Sequence, residues 1–507
     1  MNSMTNLTRR QFTQMVAGLS ALGLIETQTM ANILVDGKRR LGWLANRTAG
    51  AEGLWALTKI EGKVPKDLIG TLYRTAPGQK DNHGLTLNHL FDGDAFVSGY
   101  SFREGNVTLR ARFVDTPQRV EELKAGRMLY AEFGTNPTDL PEGWKPKEGG
   151  KNQPSVNIIE WDGRLLGLSE GGHPTAIDPK TLAYQGRWNF HGTLPANMPF
   201  TAHPKFDPET GLAYAYGVQR GPGLPLTVYR MELDGRLAKL YAMPQKTYPI
   251  IHDMLLAKDH IVFVIPPVYA DLRKFSEGKT VADALTYAEK EPTRFVILRK
   301  DGQGKTVTIE QPPGFVFHHG NAFERDGKII VDTLLSPDAS ILDTLYSWSK
   351  DKLPVPAPVK LTRLVLDPAK AQVESKTEIG INEEFPRFDQ RLAGRDARYL
   401  YTLGSDPKEG SLAFTSLIRH DLHNQTSKKI EAGKGRAISE PVFVPHPGQQ
   451  SEEKGWLLIQ GYDASRDRNY LEIRDAASLD LAARIWTETH FPLGFHGNFT
   501  TNNFVTL

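Results

Sequence analysis

From about residue 155 onward, hydrophobic and polar positions form short strand-like runs of about five residues, and most runs end in a turn dipeptide. Asp162-Gly163, Asp178-Pro179, Asp207-Pro208, Asp234-Gly235, Asp301-Gly302, Asp326-Gly327 and Asp367-Pro368 mark these ends. Asp-Gly supplies the corner of a tight hairpin, and Asp-Pro starts a turn. Strands this short and this regularly punctuated predict an all-β sandwich, barrel or propeller. The length and the number of hairpins favour a propeller, whose four-stranded blades repeat about every 40–50 residues. Residues 70–74 read as the first strand, and residues 89–100 as strand, Asp-Gly-Asp turn and strand. Residues 116–126 are charged and helix-compatible, and 137–153 form a Pro/Gly/Lys loop. Residues 271–289, polar enough to hold a helix, and 336–358, irregular and carrying Trp348, break the strand pattern. In a propeller such insertions lie on one face, as lids or binding loops.

Composition narrows the chemistry. At 507 residues the chain is long enough for two or three domains, but a closed β-architecture can be a single one. A net charge of +2 gives no bulk argument for nucleic acid. The absence of cysteine removes disulfides, thiolate nucleophiles, iron–sulfur clusters and thiolate zinc sites together. At the N-terminus, Thr8-Arg9-Arg10-Gln11-Phe12 precedes an apolar run from Met15 to Ile25 and the small-residue site Thr29-Met30-Ala31. Residues 1–31 therefore read as a twin-arginine export signal, with the twin-arginine translocase as partner and the periplasm as destination. Residues 32–507 read as one propeller domain, with no further segment near the roughly 18 apolar residues of a membrane span.

Four histidines share one setting, beside aromatic or apolar strands and next to turn residues: His203, His252, His318 and His496. The first two gaps are close to one blade each and the third to three or four, so ligands from separate blades would converge on the propeller axis. The other ten, His83, His89, His173, His191, His260, His319, His420, His423, His446 and His490, read as surface or core residues. His319 is the hard case, because neighbours in a strand point to opposite faces and only one of the 318–319 pair can face the axis. Neutral imidazoles suit Fe(II), Cu(II), Ni(II) or Zn(II) and leave the ion's charge to be offset by carboxylates on their far nitrogens. Glu170, Glu384 and Glu440 stand in apolar company and are the candidates. A zinc hydrolase fits poorly, since catalytic zinc keeps three protein ligands.

With these residues the chain resembles the carotenoid cleavage oxygenase family, which includes the retinal-pigment-epithelium isomerase and bacterial stilbene-cleaving dioxygenases. The resemblance runs from about residue 53 to the C-terminus through Leu72-Tyr73-Arg74, Phe91-Asp92-Gly93-Asp94, Ala202-His203-Pro204-Lys205-Phe206-Asp207, His252-Asp253, Phe317-His318-x-x-Asn321-Ala322, Glu384-Phe385-Pro386, Ser439-Glu440-Pro441-x-Phe443-Val444 and Gly494-Phe495-His496-Gly497. It departs mildly at Phe91-Asp92-Gly93-Asp94-Ala95, where the family usually has a second glycine. The resemblance implies a seven-bladed β-propeller with a helical and loop cap. It implies one Fe(II) per chain on the four histidines, with Glu170, Glu384 and Glu440 holding His252, His318 and His496 and no acid on His203. Oxidative cleavage of a conjugated C=C bond would follow, in a carotenoid or apocarotenoid or alternatively in a stilbenoid or phenylpropene, with an apolar polyene or aromatic alkene and O2 as small-molecule partners. Phe317 and Phe495 are candidate tunnel walls, and an apolar cap patch would allow peripheral membrane contact. A non-catalytic propeller binding an apolar ligand is the alternative of another class, and it predicts a missing metal histidine.

Overall fold

The computed structural model describes residues 40–138, 151–221, 223–348, 353–405, 412–502 and 504–505. The export signal expected at 1–31 and most of the loop expected at 137–153 lie outside the described residues. Seven sheets of four or more strands follow one another along the chain, making a seven-bladed β-propeller. Each of the five blades between the first and the last is a four-stranded antiparallel meander, such as 319–325, 328–335, 360–367 and 372–381. The hairpin between the first two of these strands turns on Asp326 at φ 50° and Gly327 at φ 72°, the positive-φ pair that a two-residue turn requires.

The first and last blades exchange strands. Residues 497–500 pair with 70–77 in the first blade, while residues 60–62 pair with 481–486 in the last. The core lies between blades. Val262, Val264, Phe295 and Ile297 of one sheet pack on Val331 and Leu364 of the next, and Leu72, Tyr100 and Leu109 of the first pack on Leu458, Leu471 and Ile485 of the last.

The expected insertions form the cap. Residues 271–289 hold helices Leu272–Ser276 and Val281–Ala284 and the strand Leu285–Tyr287, and 336–348 holds helix Ile341–Tyr346. Helix Pro117–Ala125 lies where the charged run predicts it, capped by Thr116 at its start and closed by Gly126 at φ 63°. One strand differs from expectation. Residues 89–91 are a turn, and the strand there begins only at Ala95. The Asp92 carboxylate accepts the N–H groups of His89 and Gly134, which binds this segment to the cap rather than to a sheet.

Candidate metal centre

One edge strand of each blade lies nearest the axis, and several of these inner strands touch across blades, 255–256 with 319–325, 319–325 with 383–387 and 497–500 with 157–161 among them. Each of the four histidines stands just before such a strand: His203 before Lys205–Phe206, His252 before Leu255–Leu256, His318 before His319–Arg325 and His496 before Gly497–Thr500. The chain is still irregular there, so each imidazole can turn inward. A β-bulge helps at His318. His319 faces Thr333 but Ala322 faces Val331, one residue more on the inner strand than on its partner. His318 therefore precedes the ladder instead of alternating within it. His319 is buried beneath, with its ring Nδ1 at 2.7 Å from Thr333 Oγ1, and does not join the cluster.

All four imidazoles meet. Nε2 of His252 is 3.1 Å from that of His203 and 3.2 Å from that of His318, which is 3.1 Å from that of His496. One nitrogen from each ring lies within 4.8 Å of the other three. The far nitrogens face carboxylates: His252 Nδ1 pairs with Glu170, His318 Nδ1 with Glu384 at 2.6 Å and His496 Nδ1 with Glu440 at 2.9 Å. Among the described residues His203 has no ion pair.

A proton held on Nδ1 by each carboxylate leaves Nε2 as a bare lone pair. Several lone pairs facing one another at 3.1–3.2 Å repel unless a cation sits among them, and neighbouring ligands about 2.1 Å from a shared ion are about 3 Å apart. The donor set thus fits a first-row divalent metal. Burial, and then the other three imidazoles, hold His203 well below the usual imidazole range. Burial takes His496 to about 3 against the pull of Glu440. His252 is also pushed down by burial, but Glu170 foremost, with Asp253 and Glu384, outweighs this and raises it. Burial opposes ionisation of Glu440, yet Arg387 and His496 bring it down to about 2.

Two cavities flank the cluster. An apolar one of about 630 Å³ lies under the cap, with His252, His318 and His496 among its lining residues. Phe317 and Phe495 are among its lining residues, Phe317 with its ring 5.5 Å from that of His252 and Phe495 5.4 Å from Phe91. Phe385, which was not picked out as a wall residue from sequence, has its ring 5.1 Å from that of His318 and 5.3 Å from that of His496. On the opposite side is a polar cavity of about 70 Å³ bounded by His203, Lys205, Asp253, Arg387, Glu440 and Asn498. Of these, Lys205, Asp253, Arg387 and Asn498 were not picked out as functional from sequence. Their only signal there is a charged or amide side chain within a few residues of a candidate ligand or its carboxylate.

A seven-bladed ring that gathers metal-ready imidazoles on its axis, open on one side to an apolar chamber, is built to hold a metal ion beside an apolar ligand. Comparison with known proteins agrees. The sequence profile of the retinal pigment epithelial membrane protein family, RPE65, matches residues 46–501. The chain is 31% identical over 454 residues to apocarotenoid-15,15'-oxygenase of Synechocystis, covering 87% of this chain and 92% of that one. It is 27% identical to resveratrol cleavage oxygenase 1 of Aspergillus fumigatus (88% and 93% covered) and 27% identical to isoeugenol monooxygenase of Pseudomonas putida (88% and 94%). The crystal structure of cobalt-substituted Synechocystis ACO superposes with a TM-score of 0.84 at 29% identity, covering 91% of this chain and 99% of that chain. The chain belongs to the RPE65 family and is an oxygenase-type enzyme.

Proposed function

We propose that the chain is a non-haem Fe(II) dioxygenase that cleaves a conjugated double bond of a carotenoid or apocarotenoid. The observation that carries this reading is the convergence of four Nε2 atoms at the edge of the apolar cavity. His203, His252, His318 and His496 would hold one Fe(II), and Glu170, Glu384 and Glu440 would fix three of the rings and offset the charge. When bound, the iron would supply the one-electron chemistry that makes O2 reactive toward an alkene.

The protein's own part is positioning and exclusion of water. Phe91, Phe317 and Phe495 form edge-to-face contacts along the cavity, a surface on which a flat polyene can lie. Phe385 packs against two of the imidazoles and shields them from solvent. No side chain need act as nucleophile, because the C=C and O–O bonds break and two C=O bonds form, with both oxygen atoms ending in the products. No external reductant is consumed.

Cleavage of a stilbenoid or phenylpropene is the second reading, favoured by the resveratrol- and isoeugenol-oxidising relatives. The test is incubation of iron-loaded protein with a β-apocarotenal, with resveratrol and with isoeugenol under 18O2, followed by mass analysis of the carbonyl products. Cleavage of the apocarotenal with label in both products is expected. Turnover confined to the aromatic alkenes would favour the second reading, and label in one product alone would make the enzyme a monooxygenase. The same proposal takes residues 1–31 as a twin-arginine signal and the periplasm as the site of action.

A further inference from the structure

We infer that the metal histidines are set in place by a closed circuit of polar contacts through all seven blades, and that Asp253 is its central positioning residue. The inference rests on the metal-centre reading above. The circuit can be walked blade by blade. Asn157 Nδ2 donates to the carbonyl of Ala202, beside His203, at 2.8 Å. Two residues past His203, Lys205 Nζ lies 2.7 Å from Asp253 Oδ1. Asp253 Oδ2 accepts the His319 backbone N–H at 3.0 Å, next to His318. His318 pairs with Glu384. Arg387, on the same strand as Glu384, lies 3.7 Å from Glu440 and donates to the carbonyl of Gly497 at 2.7 Å. Glu440 pairs with His496 and accepts the Gly497 N–H at 3.2 Å. Asn498 Nδ2 then donates to Asn157 Oδ1 at 3.0 Å and closes the ring.

Within this circuit Asp253 alone touches three ligand-bearing segments. It follows His252 directly, holds the segment of His203 through Lys205 and the segment of His318 through the His319 amide. Its side chain is 2% exposed, so the carboxylate cannot exchange these partners for bulk water. Burial opposes its ionisation, and Lys205, with the neighbouring His319 and His318, more than offsets that. A charged pair with one partner buried is weak as a stabiliser, but it is strongly directional. Its place under three imidazoles makes geometry rather than stability its main contribution. Asn157, Lys205, Asp253, Arg387, Glu440 and Asn498 line the small polar cavity, so most of the circuit lies away from the apolar chamber, which Glu384 borders.

The test uses the full-length chain loaded with Co(II), an ion that a solved relative accepts. Affinity is read by chelator competition, ligand geometry by the visible Co(II) spectrum, and folding by thermal melting. Asp253→Asn and Lys205→Met should each weaken Co(II) binding about 10-fold or more and shift the visible bands. The double variant should be little worse than Asp253→Asn alone, because both remove one unit. Lys205→Arg, which keeps the charge, should restore much of the affinity. Lys205 is about a quarter exposed, so its variants keep the question open to measurement if Asp253→Asn fails to fold. Lower melting temperatures with unchanged affinity and spectrum would overturn the inference and leave the pair a structural one. A wild-type chain that binds no Co(II) would overturn the metal-centre reading and the circuit's role with it, whereas failure of alkene cleavage alone would leave both standing.

Discussion

A carboxylate on the far nitrogen of an imidazole decides what the near nitrogen can do, and three of the four histidines here have one. Glu440 is the most buried of the three, with its side chain 3% exposed. Glu440→Gln preserves a hydrogen-bond acceptor for His496 but removes the charge. Metal affinity should fall about 10- to 100-fold with the fold intact, measured by chelator competition beside a thermal melt. Because Glu440 is held down to about 2, its contribution is complete above the ordinary carboxylate range and is lost as pH falls toward that value. The histidines and glutamates were legible in the sequence because titratable residues in apolar company are uncommon. Asp253 and Lys205 were visible only as parts of motifs, because what matters about them is their pairing across blades.

The elements that place the site are short or irregular. Residues 205–206 and 255–256 are inner strands of two residues each, too short to carry an alternation, whereas the longer outer strands could be read from their turns. Bulges do the aiming. The inner strand carrying Glu384 has the same single extra residue as the one after His318, with Glu384 facing Leu403 and Arg387 facing Tyr401. That extra residue turns Glu384 toward His318 and Arg387 toward Glu440. Asn321 ends the His318 bulge, donating to the carbonyls of Leu392 and Arg395 and accepting the N–H of Gly394. Asn321→Ala leaves these backbone groups unpaired and should destabilise the protein by about 1–3 kcal/mol, read from denaturant unfolding, with some loss of bound metal as the bulge relaxes.

At the scale of the molecule, class and architecture were legible and the blade count was not. Strand spacing pointed to a propeller, but seven came only through the resemblance, because blades with insertions of different length hide their repeat. The cap was legible as the stretches that broke the strand pattern. The twin-arginine reading of residues 1–31 belongs at this scale too, since that route carries proteins already folded. Replacing Arg9 and Arg10 by a lysine pair should abolish export, with folded, unprocessed protein retained in the cytoplasm and little in the periplasm. Fractionation with immunoblotting checks it, and undiminished periplasmic protein would refute the signal.

The exchange of strands between the first and last blades has a consequence for synthesis. A ribosome releases the chain from its N-terminal end, so His203, His252 and His318 emerge while their fourth companion is still unmade. His496 arrives together with residues 497–500, which lock onto the strand at 70–77. Completion of the four-imidazole cluster and fastening of the wheel are therefore a single late event, and until residues 497–500 pair at most three of the four rings can be brought together.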